Sequence, residues 1–598
     1  MIPGSVIDRT GSLRAARFLF LRVVGRRQYS RILALALSAW AATASAQAVQ
    51  PEAASGFVPR PAVVSREFMA VTANAYATAA AVEILQLGGN ALDATIAAQW
   101  VLNLVEPQSS GIGGGGFMLH WDAKRRRVSA WDGRETAPRS ASADLARRAD
   151  GSLASFSEVL ATGRAVGAPG LVAMLDAAHR RHGRLKWERL LRPAIRLAEN
   201  GFAVSPRLHL LLRDDPWLRQ DKAARALYYQ ASGEARRPGE ILRNPELAAT
   251  LRAVAETGLR ALQRGALAEP IANAVRARGG SLSVADMDDY QPRQRDAVCG
   301  LYRTWRICGM PPPSSGGIGV LQLLGVLERS GLPAGDPASP EAAHLFAEAG
   351  RLTYADRARY LADPDFVSVP QRALLQAEYL QRRASLIDPR HSMGDAPPGE
   401  LPERHALADD DAPELPATTH ISVVDSAGNA IALTSSIESA FGSRIQVGGF
   451  LLNNQLTDFS FVAERDGKPV ANRLQPGKRP LSSMAPTFVF DASGQLYAVL
   501  GSPGGNRIIN YVARTLVALL DGRQEPAAAV SLAHVGNRNG ATEIERGRGL
   551  DALALELERR GHRVQQMDMT SGLHLIVRLG ERWAGAADPR REGVARGE

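Results

Sequence analysis

Thr418 stands where two kinds of chain meet. Upstream, HSMGDAPPGELPERHALADDDAPELPA (391–417) is polar, acidic and broken by proline, and reads as a flexible segment unable to pack. Downstream, Thr418-Thr419-His420-Ile421-Ser422-Val423-Val424-Asp425 reads as a strand, Ser426-Ala427-Gly428-Asn429 as a turn, and AIALTSS as a second strand. A hydroxyl at such a border suits self-cleavage of the backbone. The loose side lets the scissile bond distort, and the rigid side holds the nucleophile. Cleavage between Ala417 and Thr418 would give a terminus carrying both a hydroxyl and an amine. A free α-amine, with a pKa near ~7.7–8.0, can serve as the hydroxyl's general base. Taken alone, this segment reads better as a plain β-prone strand start.

Other blocks add chemistry at a distance. Downstream lie LLNNQLTDF (451–459), PGKRPLSSM (476–484) and GSPGGNRII (501–509). Upstream lie EPQSSGIGGGGFM (106–118), WDGRETAP (131–138) and GMPPPSSGGIGVLQ (309–322). YADRARYLADPDFVSVP (354–370) belongs with them and carries no evident chemistry. In order and spacing these blocks resemble the γ-glutamyltranspeptidase family of N-terminal nucleophile hydrolases, from about Ala70 to the C-terminal DPR.

The resemblance implies an acyl transfer from an amide, which needs a nucleophile, a base, an oxyanion hole and a substrate clamp. Thr418 takes the nucleophile's place. Ser436 falls where a second hydroxyl supports it, a position that is more often Thr in the family. Gly504 and Gly505 fall on the oxyanion-hole glycines. Arg134 would pair with the α-carboxylate of the donor, its planar fork suiting that group, with Ser482 and Ser483 adding hydroxyl bonds. Glu438, Gln455 and Asp458 would meet the α-ammonium. The implied reaction is hydrolysis or transfer of the γ-glutamyl group of glutathione or related donors, passed to water, amino acids or short peptides. No cofactor or metal is implied, there is no HExxH, and the 11 histidines do not cluster. His420 alternates away from Thr419 and reads as structural. Two departures from the family pattern bear on specificity. The stretch between Asp458 and Pro476 is shorter than in members with a full lid, which implies an open site. Family relatives also include cephalosporin acylases acting on glutaryl groups, and such an acylase is the alternative activity. An unprocessed γ-glutamyl-peptide binder is the alternative from another class.

The elements that must position these residues follow from periodicity. AYATAAAVEILQLGG (75–89) and NALDATIAAQWVLNLVEP (90–107) read as a helical hairpin. Gly111 to Gly116 satisfies G-x-G-x-x-G, but a helix precedes it and strands (FMLHWDA, RVSAWDG) follow, so dinucleotide binding is rejected. These glycines are expected to allow tight backbone approach. Residues 153–290 read as mainly amphipathic helices, with more at 341–362 and 370–385. Strands are expected around 419–436, 447–453, 486–490 and 496–501, then helices at 507–522 and 549–561, and HLIVRL (574–579) as the last strand. Strands between helical layers on both sides of Thr418 point to an α+β chain folded as a four-layer αββα sandwich. The family fold is the same. It implies a large subunit (47–417) and a small subunit (418–598) sharing one core as a heterodimer.

Cys299 and Cys308, the only cysteines of the 598 residues, flank GLYRTWRI, a hairpin turning at Arg303-Thr304. That register makes 299 and 308 a non-hydrogen-bonded pair, with Cα atoms near ~4.5 Å, so a cross-strand disulfide is expected, against two buried thiols. An oxidising compartment fits the N-terminus. Arg26, Arg27 and Arg31 precede the apolar run ILALALSAWAATASA, which ends in Ala44-Ser45-Ala46, a signal-peptidase pattern. Residues 1–46 are therefore read as an export signal with an over-long start, leaving Sec and twin-arginine routes open, and the protein as periplasmic or secreted. The net charge of +10 comes from scattered arginines. Nucleic-acid binding is not expected, and no apolar stretch is long enough to span a membrane.

Overall fold

Alternation along one strand builds the centre of the fold. In Ala417–Val424, Ile421 and Val423 join an apolar core with the helices Ala75–Gln86 and Ala91–Val105. Val424, on the opposite face, joins a second core. His420 and Ser422 share that face: the His420 ring stacks on His574, and Ser422 Oγ donates to the His574 carbonyl at 3.1 Å. The antiparallel partner Ala430–Glu438 alternates in phase, Ile431 and Leu433 toward the first core, Ala430 and Ala432 toward the second. A period of two thus sets Thr418 between the sheets and Thr419 against the helices.

The structure is a computed structural model describing residues 54–598 except 144, 149, 333–334, 403–406, 413 and 416. The expected export signal lies outside the described residues. Two seven-stranded sheets carry the fold. The first runs Val594–Gly597, Met69–Thr72, Ala417–Val424, Ala430–Glu438, Gly115–Asp122, Arg127–Gly133, Arg293–Arg295. The second runs Val63–Ser65, Arg582–Ala587, His574–Leu579, Leu496–Gly501, Thr487–Phe490, Trp305–Gly309, Val298–Tyr302. All neighbours are antiparallel. The sheets pack face to face, with the 75–105 hairpin and Leu171–His182 outside the first, and Gly316–Arg329 and Ile508–Leu520 outside the second. This is the expected αββα sandwich. Both sheets draw strands from before and after Thr418, so cutting there leaves two fragments held by shared hydrogen-bond ladders and cores. No helix among the described residues is long and apolar enough to cross a membrane.

The buried helix Ala91–Val105 places the glycine loop. A capping box starts it: Asn90 Oδ1 accepts from Asp93 N at 3.0 Å and Asp93 Oδ2 from Asn90 N at 3.1 Å. Further along, Gln99 Oε1 accepts from Ser435 Oγ at 2.6 Å, and Asn103 Oδ1 accepts from Ile112 N at 2.8 Å.

Several expectations change. An edge strand, Val63–Ser65, forms where the sequence reading placed none, too short for alternation to be visible. HLIVRL is not the last strand. Arg582–Ala587 and Val594–Gly597 follow it, and their small or charged residues have little β-propensity, so pairing on existing edges decides them. A small third sheet, Val535–Asn537, Thr542–Glu545 and Val564–Met567, also forms. Much of 391–417, read as unable to pack, is anchored. Its backbone amides are caught by buried carboxylates: Met393 N by Glu348 Oε2 (2.8 Å), Gly399 N by Asp356 Oδ1 (2.7 Å), Leu415 N by Glu438 Oε1 (2.9 Å). Charge-assisted hydrogen bonds supplement a few apolar contacts, such as those of Ala396 and Met393 with the second core.

Cys299 and Cys308 face each other in the register Val298–Tyr302 against Trp305–Gly309, with Cα atoms 4.1 Å apart, and are bonded. Closing so short a loop restricts the unfolded chain, a contribution of roughly 2–3 kcal/mol in the chain-entropy model. A Cys299→Ala/Cys308→Ala variant is expected to unfold at a lower temperature, and reductant should bring the parent down to the same midpoint. Equal midpoints for variant and oxidised parent would show that the crosslink stabilises nothing.

Candidate active site

The pairing of Ala417–Val424 with Ala430–Glu438 slips at its first rung. Thr418 lies opposite Ser436 but Ala417 lies opposite Glu438, leaving Ile437 as a bulge. Bulges re-aim side chains, and this one gathers the polar groups around the Ala417–Thr418 bond. Thr418 Oγ1 donates to Ser436 Oγ at 3.4 Å, and Ser436 Oγ donates to the Ala417 carbonyl at 2.7 Å while accepting from Glu438 N at 2.8 Å. The Ser436 hydroxyl is thereby fully used, one donor and two acceptor sites. Glu438 has φ +79°, a left-handed conformation that costs a non-glycine residue about 1–3 kcal/mol and collects at functional sites. Arg591 Nη1 holds the Thr418 carbonyl at 3.2 Å. Thr419 is buried on the other face, its Oγ1 without a hydrogen-bond partner.

One pocket opens beside this bond. Arg134, Thr418, Ser436, Glu438, Gln455, Asp458, Ser482, Ser483 and Gly505 line it, together with Glu414 and Leu415 from ahead of the bond. Residues scattered over some 370 positions of sequence therefore meet as the motif reading expected, with Gly504 in the adjoining turn. One relation differs. The sequence reading assigned Arg134 and Asp458 to different groups of the donor, and here Arg134 Nη2 contacts Asp458 Oδ2 at 2.5 Å. A guanidinium this deeply buried requires a counter-charge. Arg134 is further fixed by the Pro480 and Leu481 carbonyls, at 3.2 and 2.8 Å, and Gln455 Nε2 donates to Asp458 Oδ2 at 2.7 Å.

Three buried polar atoms of this pocket have no hydrogen-bond partner: Asp458 Oδ1, Gln455 Oε1 and Ser483 Oγ. Buried polar groups are nearly always satisfied, so two unpaired acceptors and one hydroxyl describe a ligand with both donors and acceptors. Burial, then the neighbouring Asp458, pushes the Glu438 carboxyl well above the usual range. Burial raises Asp458 as well, against the opposing pull of Arg134. Glu135, in contact with Arg134 at 3.8 Å, is pushed up to about 8 by burial.

The glycines act through close approach. Gly504 and Gly505 turn at φ +142° and +57°, and a Cβ on Gly505 would sit 2.8 Å from the Glu414 carbonyl. In the 111–116 loop, a Cβ on Gly114 would sit 2.2 Å from the Ser436 carbonyl, the tight approach expected of that run.

Four residues were given no role by the sequence reading, three inside the matched blocks and Asn472 between two of them. Asn454 Nδ2 donates to the Glu438 carboxylate and, at 3.0 Å, to Thr457 Oγ1. Asn453 Nδ2 ties the Gly113 and Gly167 carbonyls at 2.7 and 2.9 Å. Asn472 Nδ2 donates to the Asp458 carbonyl at 2.7 Å and to Asp410 Oδ2 at 2.8 Å, and its Oδ1 accepts from Leu481 N at 3.0 Å. Arg479 Nη1 pairs with Asp132 Oδ1 at 2.7 Å, the oxygen that also accepts from Arg134 N at 2.9 Å. The Asn-Asn pair beside Gln455 was the available signal. His420 is buried, bonded to Thr434 Oγ1 (2.8 Å) and Ser422 Oγ (3.1 Å), and burial holds it neutral. Among the described residues no His, Cys, Asp and Glu cluster is arranged to hold a metal ion.

The Ser436 contact with the Ala417 carbonyl makes a prediction. Ser436→Ala is expected to slow cleavage of the chain by on the order of 10²–10³, the usual effect of losing one donor to a developing oxyanion. Ser436→Thr should keep the rate within about tenfold. A time course of fragment formation reads both; an unchanged rate in the alanine variant removes Ser436 from the reaction.

The Gamma-glutamyltranspeptidase family model matches residues 77–598. The chain is 35% identical to a glutathione hydrolase proenzyme of Bacillus subtilis strain 168, covering 89% of this chain and 92% of that protein. It is 36% identical to that of Escherichia coli K12, over 88% and 91%. A solved cephalosporin acylase from Bacillus halodurans superposes with TM-score 0.79 at 25% identity, over 92% of this chain and 99% of that one.

Proposed function

The chain belongs to the γ-glutamyltranspeptidase family, and we propose that Thr418 is the residue through which it works. It is a self-processed γ-glutamyltransferase and glutathione hydrolase, taking glutathione or other γ-glutamyl compounds as donor. The observation that carries the residue assignment is the meeting of the Thr418 hydroxyl, the Ala417 carbonyl and the unpaired polar atoms of the Arg134–Asp458 pocket in one place.

Two reactions use the same hydroxyl. In the first, Thr418 Oγ adds to the Ala417 carbonyl carbon, and Ser436 Oγ–H steadies the negative charge on the Ala417 oxygen. The C–N bond to Thr418 breaks, the nitrogen takes up the hydroxyl's proton, and an ester remains on Thr418 Oγ. Water hydrolyses it to the Ala417 carboxylate and a free Thr418. Before this step the Thr418 nitrogen is an amide with no basicity. Afterwards it is an amine and can accept the hydroxyl proton. In the second reaction Thr418 Oγ attacks the γ-carbonyl of the donor, the amine relays the proton to the departing nitrogen, and a γ-glutamyl ester forms. Water, an amino acid or a short peptide then takes the acyl group. Gly504 and Gly505 offer their backbone N–H groups to the oxyanion in this reading. Arg134, Ser482 and Ser483 take the α-carboxylate. Glu438, Gln455 and Asp458 take the α-ammonium.

The pocket's anionic side favours this donor over a glutaryl group, which lacks an ammonium. The test has two parts. The purified protein should give two fragments by denaturing mass measurement, the smaller starting at Thr418. It should then hydrolyse a γ-glutamyl anilide in preference to a glutaryl anilide. A clear glutaryl preference would make it an acylase on the same machinery.

A further inference from the structure

The segment ahead of the cleavage bond lies in the pocket like a bound ligand. Glu414 and Leu415 line it, the Leu415 amide donates to Glu438 Oε1 at 2.9 Å, and the Glu414 backbone lies against Gly505. The Glu414 carboxylate pairs with Arg357, a residue of the block YADRARYLADPDFVSVP for which no chemistry was evident. Arg357 is nine-tenths buried on the helix Pro340–Tyr360 and pinned in place. Its Nε donates to Ser315 Oγ at 2.9 Å, and Ser315 Oγ donates to the Ser482 carbonyl at 2.7 Å. The guanidinium is therefore fixed to the backbone of the pocket wall.

Cleavage at Ala417–Thr418 turns Glu414 into part of a free chain end. Once that end leaves, Arg357 loses its paired carboxylate. The two other acidic groups that act on it, Asp410 and Asp458, are engaged elsewhere. Asp410 accepts from Asn472 Nδ2 and Ala412 N, and Asp458 accepts from Arg134 and Gln455 through Oδ2, its Oδ1 being the atom assigned above to the donor's ammonium. A buried guanidinium stripped of its partner is strongly unfavourable, so the processed site calls for a new carboxylate. The α-carboxylate of the donor already has Arg134, Ser482 and Ser483.

We propose that in the processed enzyme Arg357 binds the carboxylate on the amine side of the scissile amide, that of the departing peptide and of the incoming acceptor. This rests on the γ-glutamyl-transfer reading above, and the intact chain's Glu414 stands in for that carboxylate. Arg357 then sets specificity for amino-acid or peptide leaving groups over neutral ones.

The test compares glutathione with its glycine C-terminal amide, which differs only in that carboxylate. The parent enzyme should prefer the acid by roughly 10- to 100-fold in kcat/KM, the range of a charged hydrogen-bonded contact. In Arg357→Ala the acid-to-amide ratio should fall to about one, whatever the absolute rate, with Arg357→Lys between. A ratio near one in the parent overturns the proposal without any variant, so a folding or processing failure of Arg357→Ala leaves the test intact. A ratio retained in Arg357→Ala or Arg357→Lys also overturns it, as does a variant that lowers acid and amide equally, which would place Arg357 behind the α-carboxylate. A processed parent that does not turn over a γ-glutamyl anilide would sink the γ-glutamyl reading itself. Turnover of the anilide without acid preference sinks only this inference.

Discussion

Thr418→Ala is expected to remain a single chain on prolonged incubation and to lose turnover by on the order of 10⁵–10⁶, the scale seen when a covalent nucleophile is removed. The substitution removes a hydroxyl and a methyl from a strand fixed on both sides by ladders, so a folded, uncleaved protein is the expected product. Thr418→Ser keeps the hydroxyl and should still cleave, at a reduced rate. Intact mass against time separates the outcomes. Fragments from Thr418→Ala would move the nucleophile elsewhere, and the next hydroxyl along the strand is Thr419. That residue is turned to the helical face of the sheet with its Oγ1 unpartnered, so it has no Ser436 and no pocket. Cleavage there would break the alternation argument as well as the assignment.

The second large effect is at the Arg134–Asp458 pair. Asp458→Asn is expected to lower kcat/KM for a γ-glutamyl anilide by on the order of 10²–10³, because it removes the counter-charge to the donor's ammonium and leaves Arg134 unbalanced. For a glutaryl anilide, with no ammonium, the loss should be smaller. Combining Asp458→Asn with Arg134→Met should give less than the sum of the two single effects, since the groups are in contact. Equal losses on both donors would mean that Asp458 only supports Arg134. Proton uptake gives an independent check. Burial raises both Glu438 and Asp458, so acidification protonates them earlier than exposed carboxylates. Attraction for the ammonium is present above their raised pKa values and fades as pH falls through them. KM for the γ-glutamyl donor should therefore climb on acidification while KM for the glutaryl donor stays flat.

The residues that line the pocket were legible because they stand in short blocks of constrained type and order. Thr418 sits at a compositional border that can be read directly. Gly504-Gly505, Arg134 and Ser482-Ser483 lie in short blocks whose order suffices to identify the family. The Cys299–Cys308 pairing follows from turn length and strand period, because a two-residue turn leaves one register. Elements with weak local signals were not legible. Val63–Ser65 and Val594–Gly597 are strands because a neighbouring edge accepts them. The segment 391–417 was misread because composition shows charge and proline, while its anchors are single carboxylates, Glu348, Asp356 and Glu438, on distant elements.

The sequence by itself determined the family and with it the catalytic class, the compositional border at Thr418 and the alternation that turns Thr418 away from Thr419. Tertiary structure alone decided which charges meet. Arg134 touches Asp458 across 324 positions of sequence, and Arg357 waits on Glu414 across 57. No local pattern encodes such contacts. Burial of a charge makes its partner obligatory, and only the packed fold determines which residue lies within reach.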